Sequence, residues 1–264
     1  SRAEADFNVA GVELKTNPLK KHPSKTYVSK ERLVFSMINY REVVKETWET
    51  SSFRKKNRVL LILFYLWMKE RSLLDYEFEF AHLMNLLEDL SDADIYQIRK
   101  DWEYIVAKIR RGEAHLLSEA DTYYLGACTK AANSSILHDQ SVPGIKAKPR
   151  AFSLKQQYLN CLIQRELLGR DTDTESIFAK VRRVASIEDT FHERFTPFIG
   201  MTDAEIRKNI GWKEETKAKN YKRLLVNRML GVSSNRIEEL EKANITLKVM
   251  TLEPTGMLKE SISF

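Results

Sequence analysis

The chain has 264 residues, of which 43% are hydrophobic and 30% are charged, a composition typical of a globular protein and not of a disordered chain. Lysine and arginine outnumber aspartate and glutamate by 43 to 37, and this excess is compatible with a polyanionic partner. The longest apolar run, 59–68, is too short to span a bilayer, and Cys128 and Cys161 lack metal-ligand spacing. We therefore expect a protein of a reducing cytoplasm, without a membrane span or a zinc site.

Strand signals come first along the chain. Residues 9–16 predict a strand that Asn17-Pro18 closes, because proline cannot donate a hydrogen bond to a sheet. The segment LVFSMINY predicts a second strand, and RVLLILFYLW has the length and branching of a central strand, although a continuous apolar run alone does not exclude a helix.

Helix signals follow. Residues 91–112 combine a cap at Ser91 or Asp92, apolar residues at helical spacing and Gly112 as the stop. A second helix is predicted from Ser153 to Gly169, and the polar stretch after it predicts a domain seam. Three more helices are predicted to begin near Ser186, Thr202 and Ala218, and the segment ITLKVMTL predicts a return to strand.

The last predicted strand resembles the first. Aligning VELKTNPL with ITLKVMTL pairs Lys15 with Lys248 and Glu13 with Thr246. The match is either an internal repeat or a chance likeness of two short apolar segments. If it is a repeat, the second copy has lost the central carboxylate.

Three charged residues, in the first strand and just before it, are the candidates for a catalytic site. Residues two apart in a strand share a face, so Glu13 and Lys15 project together, while Gly11 lets the backbone bend and bring Asp6 beside them. Two carboxylates and a lysine form a site for a hard divalent cation such as Mg²⁺, which activates water against a phosphodiester. The alternative is a surface ion pair on a half-exposed strand.

The segment DFNVAGVELKT resembles the active-site strand of the MutH-like family, which comprises a mismatch-repair endonuclease and type II restriction endonucleases that cut at GATC. The likeness continues in order through KERLVFSMINY, WETSSFRKKNRVLLIL, GEAHLLSEADTYYLGACTKAAN and KAKPRAFSLKQQY. It implies an α/β fold of the PD-(D/E)xK superfamily with a mixed sheet flanked by helices. It also implies that Asp6 and Glu13 hold Mg²⁺ and that Lys15 is the catalytic lysine.

The resemblance also implies DNA-contacting positions. A further family lysine falls on Lys55 or Lys56, and a lysine of the base-reading loop falls on Lys130. Two positions depart from the mismatch-repair enzyme, which has an arginine where this chain has Cys128 and a tyrosine where it has Ser153. These departures put base reading and sensitivity to adenine methylation in question.

A basic cluster is a separate candidate for DNA contact. Lys146, Lys148 and Arg150 precede the predicted helix that starts at Ser153, and a helix N-terminus favours phosphate.

The restriction enzymes of the family resemble two fused copies of one fold, with only the first copy catalytic. This implies a catalytic domain over residues 1–175 and, over residues 176–264, the start of a degenerate regulatory or DNA-binding copy that contacts DNA or the catalytic domain. The family's upstream helix with its glutamate has no counterpart before Asp6, so the chain is expected to be truncated at the N-terminus, and we also expect truncation at the C-terminus.

The functional expectation is a Mg²⁺-dependent endonuclease that cuts double-stranded DNA at GATC in the bacterial cytoplasm. The alternative is a DNA-binding module without catalysis, or an inactive fragment of such an enzyme. The oligomeric state stays open.

Overall fold

The protein is represented by a computed structural model, which describes residues 4–23, 26–133, 135–169, 173–179, 184–212 and 220–250, with Thr255 and Met257. The chain divides into two compact units. The first unit contains Ser1–Thr172, Val184–Ser186 and Lys242–Asn244, and the second contains Asp173–Arg183, Ile187–Glu241 and Ile245–Phe264. The expected assignment of residues 176–264 to a degenerate copy stays a prediction.

Seven strands and seven α-helices form the described fold. The strands are β1 (Val12–Lys21), β2 (Tyr27–Ser29), β3 (Leu33–Met37), β4 (Val59–Leu66), β5 (Phe78–Asn85), β6 (Leu125–Thr129) and β7 (Arg150–Leu154). The helices are α1 (Ser52–Lys56), α2 (Asp92–Arg110), α3 (Gln156–Leu162), α4 (Ile187–Phe195), α5 (Asp203–Asn209), α6 (Tyr221–Met229) and α7 (Glu238–Ala243). No helix in the described ranges combines the length and apolar character that crossing a membrane requires.

The first unit contains two sheets. One has the strand order β2-β1-β4-β5, with β1 parallel to β4 and the outer pairs antiparallel. The other is antiparallel, in the order β3-β7-β6. The expected mixed sheet is confirmed, and so are the strands predicted in LVFSMINY and RVLLILFYLW.

The first strand is longer than predicted. It does not end at Asn17 but continues through Pro18 to Lys21. The carbonyl oxygen of Pro18 accepts a hydrogen bond from the amide of Lys30 at 2.8 Å, so the missing N–H of Pro18 faces the same side. Pro18 lies opposite Lys30, one residue beyond the end of the β1–β2 pairing, so only the bond that its N–H would donate at the end of this ladder is missing, and β1 continues through the proline.

The long helix α2 confirms its prediction at both ends. The side chain of Ser91 accepts a hydrogen bond from the amide of Asp94, and Gly112 follows the helix with φ at +74°.

The predicted start of the next helix is wrong. Ser153 lies in β7, and α3 begins at Gln156 and continues as a π-helical turn over Ile163–Leu167.

Helix α2 anchors β6 through Asp101, which is 2% exposed. Its carboxylate accepts hydrogen bonds from the amides of Tyr123, Tyr124 and Leu125, at 3.1, 2.6 and 2.8 Å, and from the side chain of Gln97 at 3.0 Å. Burial raises the pKa of Asp101 to about 6, although these four donors favour the charged form.

This raised pKa predicts a pH dependence of stability. The folded protein binds a proton at Asp101 more tightly than the unfolded chain, whose carboxyl has the ordinary pKa of 3.8. The contribution of Asp101 is therefore fully present below about pH 4 and falls by up to about 3 kcal/mol as the pH rises to about 6. We expect the free energy of unfolding of the wild type minus that of Asp101→Asn, measured with urea, to decrease across this range. A difference that stays constant, or a matching decrease for the exposed control Asp92→Asn, would contradict the assignment.

The second unit is helical in its described residues. Its core contains Ile177, Leu230, Val232, Ile237 and Leu240. Helices α4 and α5 confirm the predictions near Ser186 and Thr202, whereas Ala218 lies outside the described residues and α6 is described from Tyr221.

The prediction of a strand in ITLKVMTL is wrong for residues 245–250, the part that the structure describes. These residues follow helix α7 and form no strand. The last two residues of the segment, Thr251 and Leu252, lie outside the described residues.

Candidate active site

A tight turn brings Asp6 next to the start of β1. The amide of Phe7 donates to the carbonyl of Val12 at 2.9 Å, and the amide of Val12 donates back at 3.3 Å. Gly11 closes this turn with φ at +64°, a backbone conformation in which a side chain would be strained. Asp6 consequently lies opposite Glu13, and its amide donates to Glu13 Oε2 at 3.2 Å.

Glu13 is a buried carboxylate between two lysines, with only 3% of its side chain exposed. Its Oε1 lies 2.7 Å from Nζ of Lys15 and 3.5 Å from Nζ of Lys56. A buried charge is costly unless it is paired and hydrogen-bonded, and Glu13 satisfies both conditions. The alternative of a half-exposed surface ion pair does not describe this geometry.

Lys15 connects the two sheets at the site. It lies on the same face of β1 as Glu13, two residues away, and its Nζ also donates to the carbonyl oxygen of Phe35 in β3 at 2.9 Å. An ammonium group has three N–H donors, and within the described part of the chain two of them are used. The third can donate to a substrate oxygen.

The carboxylates of Asp6 and Glu13 suit a hard cation. Asp6 is exposed, and its Oδ2 is oriented by the amide of Leu14 at 3.1 Å. Among the residues that the structure describes, no three acidic, histidine or cysteine side chains converge on one point. Two carboxylates are nevertheless enough for Mg²⁺, which keeps several water molecules and commonly binds one or two protein carboxylates.

Helix α1 separates the two lysines that the sequence left as alternatives. The side chain of Lys56 is 11% exposed and its ammonium faces Glu13, whereas Lys55 is exposed. Ser51 caps this short helix by accepting a hydrogen bond from the amide of Arg54, which fixes the direction of the helix. Lys56 therefore belongs to the charged centre, and Lys55 lies on the surface next to it.

Lys130 and Lys148 lie on neighbouring backbone segments and are both exposed. Lys130 follows the last residue of β6, and its amide donates to the carbonyl of Pro149 at 2.8 Å. Pro149 precedes the first residue of β7, so the two lysines mark the same end of this strand pair.

Arg150 and Ser153 do not lie with those lysines on the surface. The guanidinium of Arg150 donates to the carbonyl oxygens of Ala127, at 2.6 Å, and Leu117, so it ties β7 to its neighbours. Ser153 is 1% exposed, in β7. The predicted helix N-terminus near the basic cluster is also wrong, because Arg150 begins a strand.

The sequence interpretation missed a carbonyl and two arginines at this site. The carbonyl of Phe35 binds Lys15, and no side-chain pattern encodes a backbone acceptor. Arg54 and Arg58 line a cleft next to the turn that carries Asp6. The run RKKNR before β4 was a signal for these arginines, since basic residues are clustered there.

Comparisons with known proteins identify relatives of this chain. A family model described as DNA mismatch repair enzyme MutH matches residues 1–101. The type II restriction enzyme Sau3AI of Staphylococcus aureus is 36% identical over 274 aligned positions, which cover 100% of this chain and 55% of that protein. The DNA mismatch repair protein MutH of Shigella flexneri serotype 5b is 30% identical over 177 positions, covering 64% of this chain and 71% of that protein. MutH of Escherichia coli strain SMS-3-5 has the same identity and coverage. The chain thus spans about half the length of the restriction enzyme.

Proposed function

Because this chain belongs to the MutH family, we propose that it is a Mg²⁺-dependent type II endonuclease that hydrolyses phosphodiester bonds of double-stranded DNA at GATC. The observation that carries the proposal is the convergence of Asp6, Glu13, Lys15 and Lys56 at the start of β1. The GATC site rests on the ordered resemblance to GATC-cutting enzymes and agrees with the 36% identity to a restriction enzyme.

Asp6 and Glu13 would hold the cation through their carboxylate oxygens. When bound, Mg²⁺ supplies the positive charge that makes a water molecule a competent nucleophile. Lys15 stays anchored by Glu13 and the carbonyl of Phe35, and its third N–H donates to a phosphate oxygen as negative charge develops there. The role of this lysine is electrostatic.

The charges of the centre also favour the binding of a phosphate group together with a divalent cation. The two carboxylates and the two lysines balance each other, so Glu13 is neutralised by Lys15 and Lys56 before a ligand binds. A divalent cation and the phosphate of the substrate each find oppositely charged groups already in position.

Contacts outside the centre would hold the duplex. Lys55, Lys130 and Lys148 are exposed and fit phosphate or base-edge contacts. Arg150 donates to a backbone carbonyl inside the protein, and Ser153 is buried. We therefore propose that both residues position β7, the strand that follows Lys148, and do not contact DNA. Cys128, which is 4% exposed, lies in β6 two residues before Lys130, so base contacts would come from neighbouring residues.

The second unit would be a non-catalytic part that binds DNA or regulates cutting. The second candidate function is a DNA-binding module without catalysis. It is favoured by the exposed lysines Lys55, Lys130 and Lys148, which can contact phosphate without a metal ion.

The two functions are separated by incubating the chain with two duplexes that differ only by permuting one GATC site. We expect cleavage of the GATC duplex in Mg²⁺, no cleavage in EDTA, and little cleavage of the permuted duplex. A chain that shifts both duplexes in a gel yet cuts neither is the binding module, and cleavage of both duplexes at equal rates would contradict GATC specificity.

Replacing Lys15 with methionine is expected to lower the single-turnover cleavage rate by about 10²-fold, because the donor to the developing charge is lost. DNA affinity should change little, since Lys15 is only 13% exposed. Lys30→Met is the matched control, because Lys30 follows β2 and lies opposite Pro18, away from Glu13. This variant should cut at close to the wild-type rate. Equal rates for wild type and Lys15→Met would remove Lys15 from the mechanism.

A further inference from the structure

A cleft of about 620 Å³ opens beside the turn that carries Asp6. Arg54, Lys55 and Arg58 line one side of it, and the turn before β1 supplies Asn8 and Gly11 on the other. Adding a Cβ at Gly11 would meet no atom within 4 Å, so this part of the wall faces open space. The cleft is large enough for a segment of a ligand and is open to solvent.

The cleft keeps an excess of positive charge. Its two carboxylates have partners of their own, because Glu4 accepts a hydrogen bond from Asn8 at 3.2 Å and Glu49 forms an ion pair with Arg99 at 3.2 Å. In the described part of the chain, the side chains of Lys55 and Arg58 form no ion pair or hydrogen bond.

Arg54 is only slightly more engaged. Its charge is the weakest of several influences that lower the pKa of Glu49, of which a hydrogen bond from the glutamate's own amide is the largest. The guanidinium of Arg54 itself forms no hydrogen bond or close ion pair within the described residues, so it too is available to an anion.

The cleft shares both of its walls with the catalytic centre. Helix α1 presents Lys56 to Glu13 and, one and two residues earlier, Lys55 and Arg54 to the cleft. The opposite wall is the turn that positions Asp6. A polyanion with one phosphate at the carboxylates would therefore have the basic side chains of the cleft close by.

We propose that Arg54 and Arg58, with Lys55, form a backbone clamp that binds the DNA phosphates next to the one being cut. The clamp rests on the proposed nuclease function and adds positioning residues to it. Arginine suits this role because its planar guanidinium binds phosphate through two parallel hydrogen bonds. The clamp contacts phosphate and reads no base, so its contribution is the same for any sequence.

The test measures duplex affinity in EDTA by fluorescence anisotropy between about 50 and 200 mM salt, a range over which phosphate contacts are strongly weakened. It compares the wild type with Arg54→Gln/Arg58→Gln on the GATC and the permuted duplex. The control is Lys69→Gln/Arg71→Gln, which removes the same charge at the opposite end of β4, about 26 Å away along the strand. Arg54→Lys/Arg58→Lys keeps the charge.

Losing two phosphate contacts should reduce the slope of log affinity against log salt by about 2, equally on both duplexes. The control and the lysine pair should keep the wild-type slope, and all variants should keep the wild-type circular dichroism and melting temperature. An unchanged slope in the glutamine pair, or an equal reduction in the control, overturns the clamp. If the wild type cuts DNA and the glutamine pair has the same salt dependence of affinity as the wild type, the clamp is refuted and the nuclease proposal stands. If the wild type neither binds nor cuts DNA, the nuclease proposal is refuted as well.

Discussion

Replacing Glu13 with glutamine is expected to lower the rate of DNA cleavage by at least about 10³-fold. Metal-ion catalysis contributes several kcal/mol, and each 1.36 kcal/mol corresponds to a tenfold change in rate. Glutamine keeps the shape of Glu13 and one oxygen acceptor, but it removes the negative charge that Lys15 and Lys56 neutralise. The rate should be measured with enzyme in excess over a GATC duplex, so that product release does not limit it.

The same variant should bind DNA at least as tightly as the wild type, because a negative charge is removed close to the place where phosphate binds. It should unfold at lower urea concentration, since hydrogen bonds to charged groups contribute about 1.5–3 kcal/mol each. Glu31→Gln is the matched control, as Glu31 is exposed and its side chain is 60% accessible. Cleavage by Glu13→Gln at the rate of this control would refute the catalytic role of Glu13.

Replacing Asp101 with alanine is expected to produce the largest loss of stability, about 3–5 kcal/mol. The substitution leaves three consecutive backbone amides at the start of β6 and the side chain of Gln97 without their acceptor in a buried place. Urea unfolding at pH 7 measures this loss directly.

Asp92→Ala is the control for this loss, because Asp92 lies exposed in the first turn of the same helix. It should reduce the free energy of unfolding by less than about 1 kcal/mol, the scale of a helix-dipole interaction. If Asp101→Ala unfolds at the same urea concentration as Asp92→Ala, the carboxylate does not hold β6.

The site could be predicted from sequence where its residues are close along the chain. Alternation along β1 placed Glu13 and Lys15 on one face, and the glycine at position 11 allowed the turn that brings Asp6 to them. Lys56 could not be separated from Lys55 by sequence, because only the direction of α1, set by its cap at Ser51, decides which lysine faces the carboxylate.

Errors arose where tertiary context overrides a local signal. Ser153 has the sequence features of a helix cap, but pairing with Val34 and Gly126 on the two neighbouring strands holds it in the middle of a sheet. Pro18 does not stop β1, because its missing N–H lies at the end of the β1–β2 pairing and costs only one terminal hydrogen bond. The apolar alternation at 245–250 also predicts a strand, yet the described residues offer it no partner strand.

A Mg²⁺ titration of the cleavage rate on the GATC duplex, run side by side for the wild type and Asp6→Asn, tests directly whether Asp6 and Glu13 hold the metal. We expect no cleavage in EDTA, a rate that saturates with Mg²⁺ for the wild type, and a midpoint shifted to higher Mg²⁺ for Asp6→Asn, because one of the two carboxylate ligands is lost. A wild-type rate that is independent of Mg²⁺, or identical midpoints for the two proteins, would contradict the assignment of Asp6 and Glu13 as the metal centre of a nuclease.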